Sequence, residues 1–282
     1  MGFSTYEQSN TDGRPIKFYA FRWGNSYWYY TSADEEKIVD GNTYVPIAIG
    51  DEGLTQGTGA EAKEFNVNMP ALLDDGAGGT IPTPVVVLFR GTPPSEPVYL
   101  TVRKKHEQDP ETPIEWIGKI VNVVRTDEGA NAKIVCRNPG LKRTGLRLTW
   151  CRECPHFVFD TGCALDKTLY AVTRNITALT GNSITVDGAA LTAAPYFNGG
   201  FIEWDADGLG TIERRGIEKD LGGNELQLFG RSDGLSIGQA VTMYPGCDGS
   251  AETCETKFNN LPNYGGVDFM PGKSPFDGRQ VF

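Results

Sequence analysis

The chain has 282 residues, 39% of them hydrophobic, which suffices for an ordinary core in one large or two ordinary domains and argues against a mainly disordered protein. A net charge of −10, with no basic block beyond RKKH at 103–106, disfavours binding to nucleic acid by phosphate neutralisation. The apolar run VVVLF at 85–89 is far below the ~18 residues of a membrane span, and MGFSTYEQSNTDG has no basic start followed by an apolar stretch, so the expectation is a chain made and kept in the cytosol, without native disulfides or a membrane anchor.

With 35 Gly and 17 Pro, helix-length amphipathic stretches are scarce and the chain reads as mostly β. Residues 14–49 alternate aromatic and polar positions between turn signals, which predicts three or four antiparallel strands with core aromatics. EFNVNMP and TPVVVLFRGTPPSEPVYLTVRKK extend the strands, and 114–138 form a hairpin turning at DEGAN (127–131). After CRNPGLKRTG (136–145) further hairpins are predicted at TGN (180–182) and LGGN (221–224), and IGQAVTMYPG leads as a strand into Cys247. A short helix follows, capped by Asp248 or Ser250, with Cys254 near its first turn; the tail from Leu261 reads as an ordered loop held by packing, or as a partner-binding arm. The expected fold class is mainly β: a small β-barrel or sandwich over 1–142, and over 143–282 a loop-rich β domain with short helices built around a four-cysteine metal site.

Four of the six cysteines fall in two pairs, Cys154 with Cys163 and Cys247 with Cys254, with eight and six residues between the members. Two such pairs brought together supply the four sulfurs that a soft metal or an iron–sulfur cluster requires. Their gaps are wider than those of structural zinc knuckles, and a cluster occupies more room than one ion. Cys151 and Cys154 form a C-x2-C that admits half a zinc knuckle or a redox pair, although no βαβ pattern surrounds it. Cys136, at a strand end, reads as a small buried residue. His156 reads as part of its loop's hydrogen bonding and His106 as solvent-facing, which leaves little material for a nucleophile–base device. NIT (175–177) and DADG (205–208) read as turns, and Asp34, Glu35, Glu36, Asp74 and Asp75 as solvated charge, so no active site is evident.

CPHFVFDTGCALD, followed by GCDGSAETCETKFNNLPNYGGVDFMPG, resembles the tail-tip hub proteins of long-tailed bacteriophages and gene transfer agents. Cys154, Cys163, Asp166, Cys247, Asp248, Cys254, Phe258, Asn260, Asn263, Tyr264, Pro271 and Gly272 carry the pattern, and YEQSNTDGRPIKFYAFRWG and WYYTSADEEKIVDGNTYVPIAIG extend it to nearly the whole chain. Two departures are the extra Cys151, and Ala164-Leu165-Asp166 where the family has Gly-Val-Asp.

The resemblance implies a non-enzymatic virion protein that forms a trimeric ring at the tail tip and is assembled in the host bacterial cytoplasm. A four-iron, four-sulfur (4Fe-4S) cluster would be held by Cys154, Cys163, Cys247 and Cys254. The implied neighbours are the distal tail protein ring, the central fibre or baseplate hub protein and the tape-measure protein, with DNA passing through without specific binding. The alternatives are a cytosolic redox or electron-transfer protein using the cluster or Cys151 and Cys154, and a zinc-stabilised adaptor.

Overall fold

In PIKFYAFRW the apolar residues outnumber one face of a strand, so the segment is buried on both sides. β1 (Pro15–Trp23) turns Tyr19, Phe21 and Trp23 into the main core and packs Phe18 against Val39 and Tyr44. The computed structural model describes residues 3, 7–8, 15–53, 64–107, 109–126, 129–138, 151–189, 191–192, 194–267 and 269. They form two units, the first comprising Met1–Arg143 with Asp205–Glu213 and the second Thr144–Trp204 with Arg214–Phe282.

The first unit continues through β2 (Ser26–Thr31), β3 (Lys37–Val39), β4 (Asn42–Pro46), β5 (Gly50–Asp51), β6 (Glu64–Pro70), β7 (Leu72–Asp74), β8 (Thr80–Pro82), the one-turn helix α1 (Pro84–Leu88), β9 (Tyr99–His106), β10 (Ile114–Thr126) and β11 (Asn131–Arg137). Nine strands make one sheet in the order β3-β4-β2-β1-β9-β10-β11-β6-β5, while β7 and β8 pair separately. The register sets Tyr19 against Val102, Phe21 against Leu100 and Cys136 against Phe65, which gathers one core from distant strands. Although four strands separate β1 from β5 in the sheet order, Lys17 Nζ lies 2.8 Å from Asp51, so the sheet coils back on itself without a closing ladder.

Apart from Asp205, Ile212 and Glu213 at two strand ends, the second unit holds β12 (Val172–Thr180), β13 (Ser183–Val186), β14 (Phe201–Asp205), β15 (Ile212–Gly222), β16 (Glu225–Leu228) and β17 (Ala240–Tyr244), which close into a six-stranded barrel. The helix α2 (Ala251–Thr256) and two 3-10 turns, Lys167–Tyr170 and Leu261–Asn263, complete it. The hairpins expected at 180–182 and 221–224 join β12 to β13 and β15 to β16. β10 and β11 also pair as expected; Asp127 and Glu128 of their turn lie outside the described residues.

The chain is mainly β, but its closed barrel lies in the second half, and the first half is the coiled nine-stranded sheet rather than a closed barrel or sandwich. VVVLF is not a strand: Pro84 opens a helical turn in which the Val86 and Val87 N–H groups donate to the Thr83 carbonyl, both at 3.0 Å. The first four strands are not all antiparallel, because β2 runs parallel to β4. His106 is 2% exposed, not solvent-facing, since it continues the inward alternation of Leu100 and Val102 along β9, and its Nε2 lies 2.9 Å from Glu7. Asn175–Thr177 belongs to β12 and is not a turn. No helix among the described residues is long and apolar enough to cross a membrane.

DADG is a turn as expected. The Asp207 carboxylate accepts from the Leu209 and Thr211 N–H groups at 2.8 and 3.1 Å and from the Thr211 and Ser26 hydroxyls at 2.6 and 2.7 Å. Burial pushes its pKa up, but the hydrogen bonds outweigh burial and hold it below the ordinary carboxylate value. A folded pKa below the unfolded ~3.9 stabilises above that pH and ceases to do so as pH falls through the folded value. The stability advantage over Asp207→Asn in urea unfolding should therefore shrink as the pH is lowered from ~5 toward 2.

Candidate functional site

The loop from Cys151 to Asp166 has no regular structure, so its shape depends on side-chain hydrogen bonds. The Asp160 carboxylate accepts from the Cys163 N–H at 2.6 Å and the Phe157 N–H at 3.0 Å, which folds the loop so that Cys154 and Cys163 belong to one turn structure. Asp166 then caps the first 3-10 turn, accepting from the Thr168 N–H at 2.9 Å and hydroxyl at 2.7 Å. The second thiol pair is set by α2. Ser250 is its N-cap, accepting from the Thr253 N–H at 3.1 Å, while Asp248 accepts from the Ser250 N–H and hydroxyl at 2.9 and 2.7 Å. Ser250→Ala should lower the thermal stability of this unit by about 1 kcal/mol, within the range for a lost N-cap, with no change in the far-ultraviolet spectrum of the folded protein.

The two loops meet. The Cys154 N–H donates to the Gly249 carbonyl at 2.8 Å, and the buried Asn260 donates its amide to the Cys163 carbonyl at 2.7 Å while its own N–H donates to the Cys254 carbonyl at 2.9 Å. All six cysteines are free thiols. Burial pushes the Cys254 thiol up, and Cys247, Cys154 and Cys163 push it further; Cys247 is likewise raised, by burial first, then by Asp248, Cys163 and Cys154, against an opposing Gly249 N–H. The second thiol pair expected from the sequence thus lies within electrostatic range of the first.

Three of the four sulfurs receive an N–H donor: Cys154 Sγ from Gly265 at 3.4 Å, Cys247 Sγ from Gly249 at 3.4 Å and Cys163 Sγ from the Asn260 amide at 3.6 Å. Such donors favour the thiolate and tune a metal bound to it. Sequence reasoning missed the two glycine donors, because a backbone N–H carries no residue signature. The His156 ring packs between Gly162 and Gly265, where a Cβ at either glycine would collide with it. Its Nδ1 is 3.9 Å from Asp160, beyond hydrogen-bonding distance, so it acts in this loop as a packed ring.

Cys151 and Cys136 stand apart from the quartet. Cys151 Sγ donates to the Glu153 carbonyl at 2.9 Å; Cys136 is fully buried on β11, where burial pushes its thiol up to about 12. Among the described residues no three His, Cys, Asp or Glu side chains are gathered as ligands of a single metal ion, so the expected metal site does not emerge as a one-ion centre.

The remaining pattern residues support the loops. Phe159, at the middle of the first loop, meets Tyr170, Phe201, Tyr244 and Phe258 with ring centroids 5.7 to 6.3 Å apart. Asn263 donates to Asn260 at 2.7 Å, and Tyr264 donates to the Arg152 carbonyl at 3.0 Å, holding the start of the tail as expected of an ordered loop. Pro271 and Gly272, with most of the tail, lie outside the described residues.

Residues 195–274 match the family profile described as "Phage conserved hypothetical protein BR0599", a span that includes Cys247 and Cys254 but not Cys154 or Cys163. A chain from the solved structure "Virion of native gene transfer agent (GTA) particle" superposes with a TM-score of 0.76 at 20% identity, covering 99% of each chain. The two share a fold. An uncharacterized protein of Xylella fastidiosa (strain 9a5c) is 24% identical over 196 residues, and the match takes in 64% of this chain and 38% of that relative's length.

Proposed function

We propose that this chain is a structural virion protein of a long-tailed bacteriophage or related particle, a ring-forming hub at the tail tip whose second unit is braced by a 4Fe-4S cluster on Cys154, Cys163, Cys247 and Cys254. The observation that carries the reading is the likeness, along 99% of both chains, to a chain of a gene transfer agent particle. The phage family profile over 195–274 supports it independently. In this reading the chain performs no catalysis and resides in the virion. It forms a homotrimer between the distal tail protein ring and the central fibre protein, and the tape-measure protein and DNA pass through it. A net charge of −10 suits a wall past which DNA slides without sticking.

The thiol quartet fits a cluster in three respects: four free sulfurs share one electrostatic neighbourhood, three of them take N–H donors, and the loops carrying them are already joined by hydrogen bonds. Once bound, a cluster supplies inorganic bonds between the loops, and that binding energy adds directly to folding free energy. The residues' own part is to hold the sulfurs: Asp160 shapes the first loop, Ser250 and Asp248 start the helix of the second, and Asn260 bridges them.

Anaerobically purified chain should be brown, with iron and acid-labile sulfide in equal amounts. Colourless protein with stoichiometric zinc would reject the cluster in favour of the zinc-stabilised alternative. Antibody labelling of intact particles should decorate the tail tip alone; label on the capsid or along the tube would reject the proposed position.

A further inference from the structure

We propose that Lys17 and Asp51 condense to an intramolecular isopeptide bond, with Glu115 carrying the protons. The three side chains come from β1, β5 and β10, and they meet where the coiled sheet of the first unit has no ladder to close it. Lys17 Nζ lies 2.8 Å from both Asp51 oxygens. Equal distances hold the amine on the plane that bisects the carboxylate, beside the Cγ it would attack.

The carboxylate is also held as an acyl acceptor should be. Its side chain is 2% exposed; Oδ2 accepts from the Tyr19 hydroxyl at 2.6 Å and Oδ1 from the Gly53 N–H at 2.9 Å. Each oxygen therefore faces a donor able to stabilise the negative charge that develops when the amine adds to Cγ. Glu115 Oε2 is 3.1 Å from Nζ, within reach of the proton that the amine must give up. Burial pushes the Lys17 ammonium down, the hydrogen bonds to Asp51 and Glu115 more than offset this, and the starting state is an ion pair.

From that state the step balances without any co-reactant. Glu115 takes a proton from Nζ, and the freed lone pair attacks Asp51 Cγ, forming the C–N bond. One carboxylate oxygen then leaves as water, receiving the two protons that the nitrogen gives up by way of Glu115, which ends as it began. The product exchanges two buried charges for a neutral amide, which removes their desolvation penalty. It also ties the edge strand β5 to β1 covalently, across the seam that backbone hydrogen bonds leave open.

Whole-protein mass spectrometry of the denatured full chain tests this. The wild type should be lighter than its sequence mass by one water, and trypsin should leave Lys17 uncut, in a branched peptide joined to the one holding Asp51. Glu115→Gln and Lys17→Arg should both run at full sequence mass. A wild-type chain at sequence mass overturns the proposal. So does a water deficit that maps to an Asp-Gly succinimide, as at Asp40–Gly41, with Lys17 still cleaved. The deciding mass is the wild type's, so a poorly folding variant does not obscure the outcome. The inference does not depend on the virion reading.

Discussion

With a 4Fe-4S cluster bound as proposed, Cys254→Ser should strip the chain of iron and unfold the second unit tens of degrees earlier than the wild type when both are purified anaerobically. Cys254 is 7% exposed on α2, and its sulfur shares one electrostatic neighbourhood with the other three. A serine hydroxyl is a poor ligand for iron, so the quartet becomes a trio. Structural metal in small domains contributes on the order of 10 kcal/mol, comparable to the whole stability of a domain. In chelator-treated protein the same change should cost only about 1–3 kcal/mol, the burial of one hydroxyl. The contrast between the two preparations isolates the metal's share. Cys151→Ser is the control: its sulfur faces the Glu153 carbonyl, and iron per chain should be unchanged. Full iron retention in Cys254→Ser, or iron loss in Cys151→Ser, would refute the assigned ligand set.

Phe65→Ala should cost the first unit about 3–5 kcal/mol, most of the stability of a marginal domain. Phe65 is 1% exposed on β6 and stacks on Trp116 with centroids 4.6 Å apart and an interplanar angle of 18°. Removing the ring leaves a cavity between the side chains of β6 and β10, which flank β11 and turn Phe65 and Trp116 into one core. Denaturant titration should show the loss together with a changed tryptophan emission. Ile38→Ala, at a site 73% exposed on β3, should stay within about 0.5 kcal/mol of wild type. Comparable losses in the two variants would mean that the coiled sheet does not enclose the core described.

Much of the local structure could be read from the chain. EFNVNMP alternates strictly and became β6 with Phe65, Val67 and Met69 buried; the turn residues at 180–182 and 221–224 set two hairpins; Ser250 caps the helix that bears Cys254. These features depend on residues a few positions apart, where side-chain alternation and turn chemistry act directly. VVVLF misled for the same reason. Its β-branched residues favour a strand, but Pro84 and the Thr83 carbonyl start a helical turn, and nothing in the valines announces it.

The candidate site divides in the same way. Cysteine spacing picked out Cys154, Cys163, Cys247 and Cys254 as a set, because thiols are rare and chemically distinctive. The donors to their sulfurs at Gly249 and Gly265 are backbone groups aimed by loop shape, so only the folded chain reveals them. His106 was misread because its charged neighbours suggest surface, whereas its burial follows from the register of β9 against β1.

By itself the sequence determined a mainly β chain and its hairpins, since each follows from nearest-neighbour geometry. Tertiary structure alone decided that the second half closes into a barrel, that β2 runs parallel to β4, and that Lys17, Asp51 and Glu115 meet. Those outcomes depend on pairing between strands far apart in the chain, where many registers satisfy the local pattern and only collective burial selects one.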